Sequence, residues 1–194
     1  MQLLHLSWED VQRLSERLAE KIRGNGFRPE IVVAMGRGGF IPARILCDRL
    51  DVKELASVGV EYYSDIGERE EEPRILHPLN ADVKHKSILL VDDVSDTGRS
   101  LQLALDHVLE RGAKGVRVAT LHCKPWSAFQ PNFYAERTED WVVYPWEVLE
   151  SVRSFLRKLR GEGLSSSEVR ERLLTLGFKE KDVETLLNRS NELI

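Results

Sequence analysis

Short, largely apolar runs alternate along the first two thirds of the chain with stretches in which apolar residues recur every three or four positions. Residues 31–35, 87–91 and 116–121 are runs of the first kind, and their length of about five residues predicts buried strands. Val11, Leu14, Leu18 and Ile22 have helical spacing and predict a helix over residues 6–23, with Ser7 as N-cap ahead of Glu9 and Asp10 and with Gly24 and Gly26 ending it. Residues 41–50, after Gly36-Arg37-Gly38-Gly39, and residues 101–111, after Gly98, follow the same helical rule. The stretch 56–63 alternates less cleanly. It leads into residues 64–73, whose charges and proline cannot bury anything and predict a solvated loop. Strands alternating with helices in this order predict an α/β core, a central parallel sheet flanked by helices. After Tyr144-Pro145-Trp146 the pattern turns entirely helical: residues 148–159, then a unit in which Ser165 and Glu168 form a capping box, Gly177 ends one helix and residues 182–187 begin another. Residues 1–149 are therefore expected to form the main domain and residues 150–194 a small helical C-terminal extension.

Composition narrows the class without naming a chemistry. Hydrophobic residues at 42% and charged residues at 31% fit an ordinary folded chain of 194 residues. A net charge of -4 gives no long-range attraction to nucleic acid or to anionic membrane, so an anionic ligand must be held by a local site. Cys47 and Cys123 are not in a CxxC pair, which argues against a disulfide framework or a structural zinc site. No apolar run approaches the ~20 residues of a membrane span. A cytoplasmic location, with no nucleic-acid and no membrane partner, is the expectation.

The informative segment is Ile88-Leu89-Leu90-Val91-Asp92-Asp93-Val94-Ser95-Asp96-Thr97-Gly98-Arg99-Ser100. A buried strand ends on two carboxylates and gives way to a hydroxyl-rich turn that opens a helix. Ligands of open parallel sheets bind beyond the carboxyl ends of strands, and backbone N–H groups at the start of a helix cradle anions. Thr97, Gly98 and Ser100 suit a phosphate, and Arg99 adds a positive charge directed either at the ligand or at solvent. Asp92 and Asp93 suit ribose hydroxyls or a magnesium ion. A bare Val-Asp-Asp also occurs in Walker B strands and in receiver domains. The chain has no GxxxxGK[ST], however, and the acidic pair follows at least two strands rather than the first.

The full thirteen-residue segment resembles the phosphoribosyl pyrophosphate signature of type I phosphoribosyltransferases, and the resemblance extends over about residues 1–149. It implies that Asp92 and Asp93 contact the ribose, that Ser95, Thr97, Gly98, Arg99 and Ser100 belong to the 5-phosphate loop, and that Asp96 is the catalytic base near the imidazole side of the purine. Gly36-Arg37-Gly38-Gly39 resembles the family's pyrophosphate loop, which implies Arg37 and Gly38 as its contacts and a non-proline cis peptide between Gly36 and Arg37. Residues 62–73 stand where the family has a hood that closes over the reaction; relatives start it with Ser-Tyr, this chain with Tyr62-Tyr63-Ser64.

His122-Cys123-Lys124-Pro125-Trp126 and Trp141-Val142-Val143-Tyr144-Pro145-Trp146-Glu147 resemble the 6-oxopurine enzymes, in particular the xanthine-guanine branch. That implies Lys124 at the exocyclic O6, Trp141 stacked on the base, the Val142 backbone at the group on C2, and Glu147, in place of an aspartate, sharing magnesium with Asp93. An ammonium favours a carbonyl over the amino group of adenine, which points to hypoxanthine, guanine or xanthine. The implied activity is purine salvage: transfer of ribose 5-phosphate from phosphoribosyl pyrophosphate to the base by a magnesium-dependent enzyme, expected as a homodimer or higher homo-oligomer. Two rivals are an adenine enzyme on the same scaffold and a non-catalytic sensor of phosphoribosyl pyrophosphate that binds a partner through its added helices. Nine basic residues from Arg153 to Arg189 against seven acidic ones from Glu162 to Glu192 make no basic stripe, which speaks against nucleic acid for such a sensor.

Overall fold

The computed structural model describes residues 2–63 and 72–191. They fall into two compact units, one of residues 11–139 and one of residues 1–10 with 140–194.

The larger unit holds a six-stranded sheet in the order β4-β3-β2-β5-β6-β7. Its strands are β2 (Ile31–Gly36), β3 (Glu54–Tyr63), β4 (Glu72–His77), β5 (Ser87–Ser95), β6 (Gly115–Cys123) and β7 (Phe133–Arg137). All neighbouring pairs are parallel except β3 with β4. The expected fold class is thus present, with an antiparallel edge that the sequence pattern did not announce. Tyr62 pairs with Pro73 and Tyr63 with Glu72, so both ends of the expected 62–73 loop are strand. The rest of the expected hood, residues 64–71, lies outside the described residues, as does the side chain of Tyr63. An edge strand tolerates Pro73 because a proline there forfeits no second ladder of hydrogen bonds.

The sheet's middle strands are buried on both faces, which is why they read as unbroken apolar runs rather than as alternation. Ile31, Val33, Ile88, Leu90 and Val118 face a cluster with Leu101, Ala104 and Val108 of α3 (Arg99–Glu110). The intervening Val32, Ala34, Leu89 and Val91 are equally inaccessible, and α2 (Phe40–Leu50) packs along β2, β3 and β5. Helix α1 (Trp8–Gly24) starts as expected: Ser7 Oγ accepts from the Asp10 N–H at 3.1 Å, and Asp10 Oδ2 accepts from the Ser7 N–H at 3.0 Å.

The smaller unit combines two three-residue strands, β1 (Leu3–His5) and β8 (Trp141–Val143), paired in parallel, with α4 (Val148–Gly161), α5 (Ser166–Thr175) and α6 (Glu180–Asn191). Val152, Phe155, Leu159, Val169, Leu173, Phe178 and Val183 form its core. The capping box is in place, with Ser165 Oγ accepting from the Glu168 N–H and the Glu168 carboxylate accepting from the Ser165 N–H. No helix among the described residues is long and apolar enough to cross a membrane.

Candidate active site

The C-terminal ends of β2, β3 and β5 border one polar cleft of the larger unit. The cleft, of about 620 Å³, is lined by Met35, Tyr62, Asp92, Asp93, Val94, Asp96, Thr97, Gly98, Arg99, Ser100 and Leu101. Two carboxylates kept 8% and 7% exposed, Asp92 and Asp93, are costly for a fold unless something uses them. Asp92 Oδ1 accepts from the Asp93 backbone N–H at 3.0 Å, which fixes the first carboxylate of the pair.

Gly98 sets the turn. It lies at φ 85, where an L side chain is strained, and it is the N-cap of α3. A Cβ on it would also fall 2.6 Å from the Phe129 nitrogen. The helix therefore begins at Arg99, two residues earlier than the apolar spacing suggests, with the Arg99 N–H donating to Thr97 Oγ1 at 3.4 Å. Thr97 and Ser100 line the same wall. Arg99 lines it too and makes an ion pair with Glu72 of β4, so its charge is shared between the cleft and the sheet edge.

Ser95 is placed differently. Its side chain is fully buried, with Oγ 2.8 Å from Ser127 Oγ and donating to the Phe129 carbonyl at 2.9 Å, so this hydroxyl is engaged inside the protein. It anchors the turn. Three more hydrogen bonds lace residues 124–128 to the loop and to each other: Lys124 N–H to the Ser95 carbonyl at 2.9 Å, Ala128 N–H to the Thr97 carbonyl at 3.1 Å, and Ser127 N–H to the Lys124 carbonyl at 3.1 Å. Register explains the meeting, because parallel pairing of β5 with β6 sets Ser95 opposite Cys123, and each strand then turns into its own loop.

Lys124, at 6% exposure, is therefore brought beside the 95–98 turn, its Nζ 5.4 Å from the centroid of the Trp126 ring. The Trp126 indole N–H donates to Asp96 Oδ1 at 3.0 Å. Tyr62 Oη approaches Thr97 Oγ1 at 3.4 Å. The sequence assigns no role to Ser127, Phe129, Trp126 or Tyr62, although Trp126 adjoins Lys124-Pro125 and Tyr62 opens the expected hood. Behind this frame His122 is fully buried on β6, where burial pushes its imidazole down to about 4, Glu136 opposing and Lys124 adding to the shift.

The peptide Gly36–Arg37 is cis, at the position the sequence resemblance implied. Gly38 follows where a Cβ would fall 2.2 Å from Asp93 Oδ2, so the glycine loop after β2 is packed directly onto the acidic pair. The structure thus brings Arg37-Gly38, Asp92-Asp93, Asp96 to Ser100 and Lys124 to one end of one sheet.

Trp141, Val142 and Glu147 belong to the smaller unit. Trp141 is 43% exposed and meets Phe155 edge-on at 6.1 Å between centroids. Val142 is buried in β8, and Glu147 Oε1 accepts from the Tyr144 N–H at 3.4 Å. Among the described residues no group of three or more His, Cys, Asp or Glu is gathered as a metal cage.

Comparison with known proteins agrees with this geometry. The family described as "Phosphoribosyl transferase domain" matches residues 6–151. The xanthine-guanine phosphoribosyltransferase of Roseobacter denitrificans is 31% identical, the alignment covering 74% of this chain and 85% of that one. The hypoxanthine-guanine phosphoribosyltransferase of Schizosaccharomyces pombe is also 31% identical, over 74% of this chain and 88% of the other. The crystal structure of a purine phosphoribosyltransferase from Pyrococcus horikoshii superposes with a TM-score of 0.67 at 39% identity, over 75% of this chain and 94% of that one. A strand-end acidic pair, a glycine turn opening a helix at the cleft and a match over three quarters of the residues together place this chain in the phosphoribosyl transferase domain family.

Proposed function

We propose that the protein is a purine-salvage phosphoribosyltransferase that joins a 6-oxopurine to the ribose 5-phosphate of phosphoribosyl pyrophosphate and releases pyrophosphate. The observation that carries this reading is the lacing of residues 124–128 onto the 95–98 turn, because it holds Lys124 and Asp96 in one frame with the acidic pair. The matches to xanthine-guanine and hypoxanthine-guanine enzymes support the choice of base. The family match at 6–151 supports reading residues 1–149 as the catalytic domain and 150–194 as an extension.

In the reaction, backbone N–H groups of residues 97–100 with the Thr97 and Ser100 hydroxyls hold the 5-phosphate at a helix N-terminus, where the dipole favours an anion. Asp92 and Asp93 accept from the ribose hydroxyls. Arg37 and the Gly38 amide meet the pyrophosphate. N9 of the purine attacks the anomeric carbon as pyrophosphate leaves with inversion, and Asp96 takes the proton from N7. Its ionised carboxylate also offsets the positive charge that grows on the ribosyl carbon. Lys124 donates to the exocyclic O6, a carbonyl in the 6-oxopurines and an amino group in adenine. Trp141, the Val142 backbone and Glu147 are assigned to stacking, to the C2 group and to metal on the family's sequence pattern.

Magnesium, when bound with phosphoribosyl pyrophosphate, supplies neutralisation of the leaving group's charge. Two buried carboxylates suit it, since magnesium commonly takes one or two protein carboxylates and completes its shell with substrate phosphates and water.

Pyrophosphate release measured with hypoxanthine, guanine, xanthine and adenine tests the reading. Turnover with at least one 6-oxopurine well above that with adenine is expected. Preference for adenine would overturn the role of Lys124, and binding of phosphoribosyl pyrophosphate without turnover of any base would mark a sensor instead.

A further inference from the structure

We propose that Trp126 is a positioning residue for the reaction, fixing the carboxylate that accepts the purine proton and backing the lysine that meets O6. The inference rests on the roles given above to Asp96 and Lys124. Asp96 stands exposed on the turn after β5, where an aspartate would ordinarily sample several rotamers. Trp126 restricts it: the indole N–H donates to Oδ1 at 3.0 Å. An indole nitrogen is a donor only, so it pairs with the ionised, accepting form of a carboxylate and does not compete for the proton. With Oδ1 so engaged, Oδ2 is the oxygen offered to the base.

The same ring does a second thing. Lys124 Nζ lies 5.4 Å from its centroid, within the range of a cation–π contact, so the indole backs the ammonium. The backbone that carries Trp126 is anchored, because its neighbour Ser127 is tied to Ser95 by side chain and to the Lys124 carbonyl by backbone, and Ala128 is tied to the Thr97 carbonyl. The indole nevertheless remains 56% exposed. A side chain of that size so open to water contributes little to a core; its two polar contacts, one to each of the groups assigned to the purine, account for its place.

Trp126→Phe keeps the ring against Lys124 and removes the N–H. The tests are steady-state kinetics with guanine as the varied base, calorimetric binding of phosphoribosyl pyrophosphate, and thermal melting, with Asp96→Asn run alongside. The expected result is a kcat about tenfold lower, as for a misplaced catalytic group, with the affinity for phosphoribosyl pyrophosphate within twofold and the melting temperature unchanged. A kcat within twofold of the unmodified protein overturns the proposal. So does a fall in kcat matched by weaker phosphoribosyl pyrophosphate binding or by a lower melting temperature, since either marks Trp126 as scaffolding for the loop. If Asp96→Asn is impaired while Trp126→Phe is not, the positioning role alone fails. If Asp96→Asn turns over as fast as the unmodified protein, the reading of Asp96 as the base fails, and the positioning role with it.

Discussion

The turn at residues 92–100 and the helical unit at 148–191 are built on opposite rules. In the turn, polar groups are buried at a cost: Asp92 and Asp93 are nearly inaccessible, the Ser95 hydroxyl is enclosed, and Gly98 takes a conformation that other residues avoid. In the helical unit each local choice favours the same outcome. Ser165 and Glu168 cap α5, Arg160 and Lys158 stand in the last turn of α4 where cations are favoured, and the apolar faces of three helices meet in one cluster. Local preference is violated where the proposed function needs a ligand site and satisfied where only packing is needed.

Substitutions can pull the two apart. Asp96→Asn removes the proposed base from an exposed position and should lower kcat by roughly 10² to 10⁴ without moving the melting temperature, as read by pyrophosphate release and calorimetry. Leu173→Ala truncates a fully buried side chain in the helical core and should destabilise that unit by about 2–5 kcal/mol in denaturant unfolding. Below its melting temperature the variant should keep kcat. Ser165→Ala deletes the cap of α5 and should cost about 1 kcal/mol in the same assay, again sparing turnover. If the two helical substitutions lowered kcat in the folded protein while Asp96→Asn did not, the division of labour would be wrong.

Much of this organisation is legible in the sequence because it follows from local rules. The runs at 31–35 and 88–91 are apolar throughout since both their faces are covered, and the Ser165–Glu168 box is a four-residue signal. What escaped depends on distance along the chain. β1 and β8 have three residues each and find one another across more than a hundred positions, leaving no periodicity to read, and their pairing is why residues 1–10 group with 140–194. β7 is short, and β4 hides behind a proline and charges that look like loop.

The site divides in the same way. The acids, the phosphate turn and Lys124 were visible as motifs, whereas the occupation of the Ser95 hydroxyl by Ser127 and Phe129, and the bond from Trp126 to Asp96, arise from the register of β5 on β6. No single segment contains both halves of either contact.

The central claim is that the turn opening α3 grips a sugar phosphate. A crystal structure with guanosine monophosphate bound tests it most directly. The account predicts the 5-phosphate oxygens about 3 Å from the backbone nitrogens of residues 97–100, within reach of the Thr97 and Ser100 hydroxyls, and the ribose hydroxyls on Asp92 and Asp93. A nucleotide seated elsewhere, with those nitrogens facing only solvent, would contradict it.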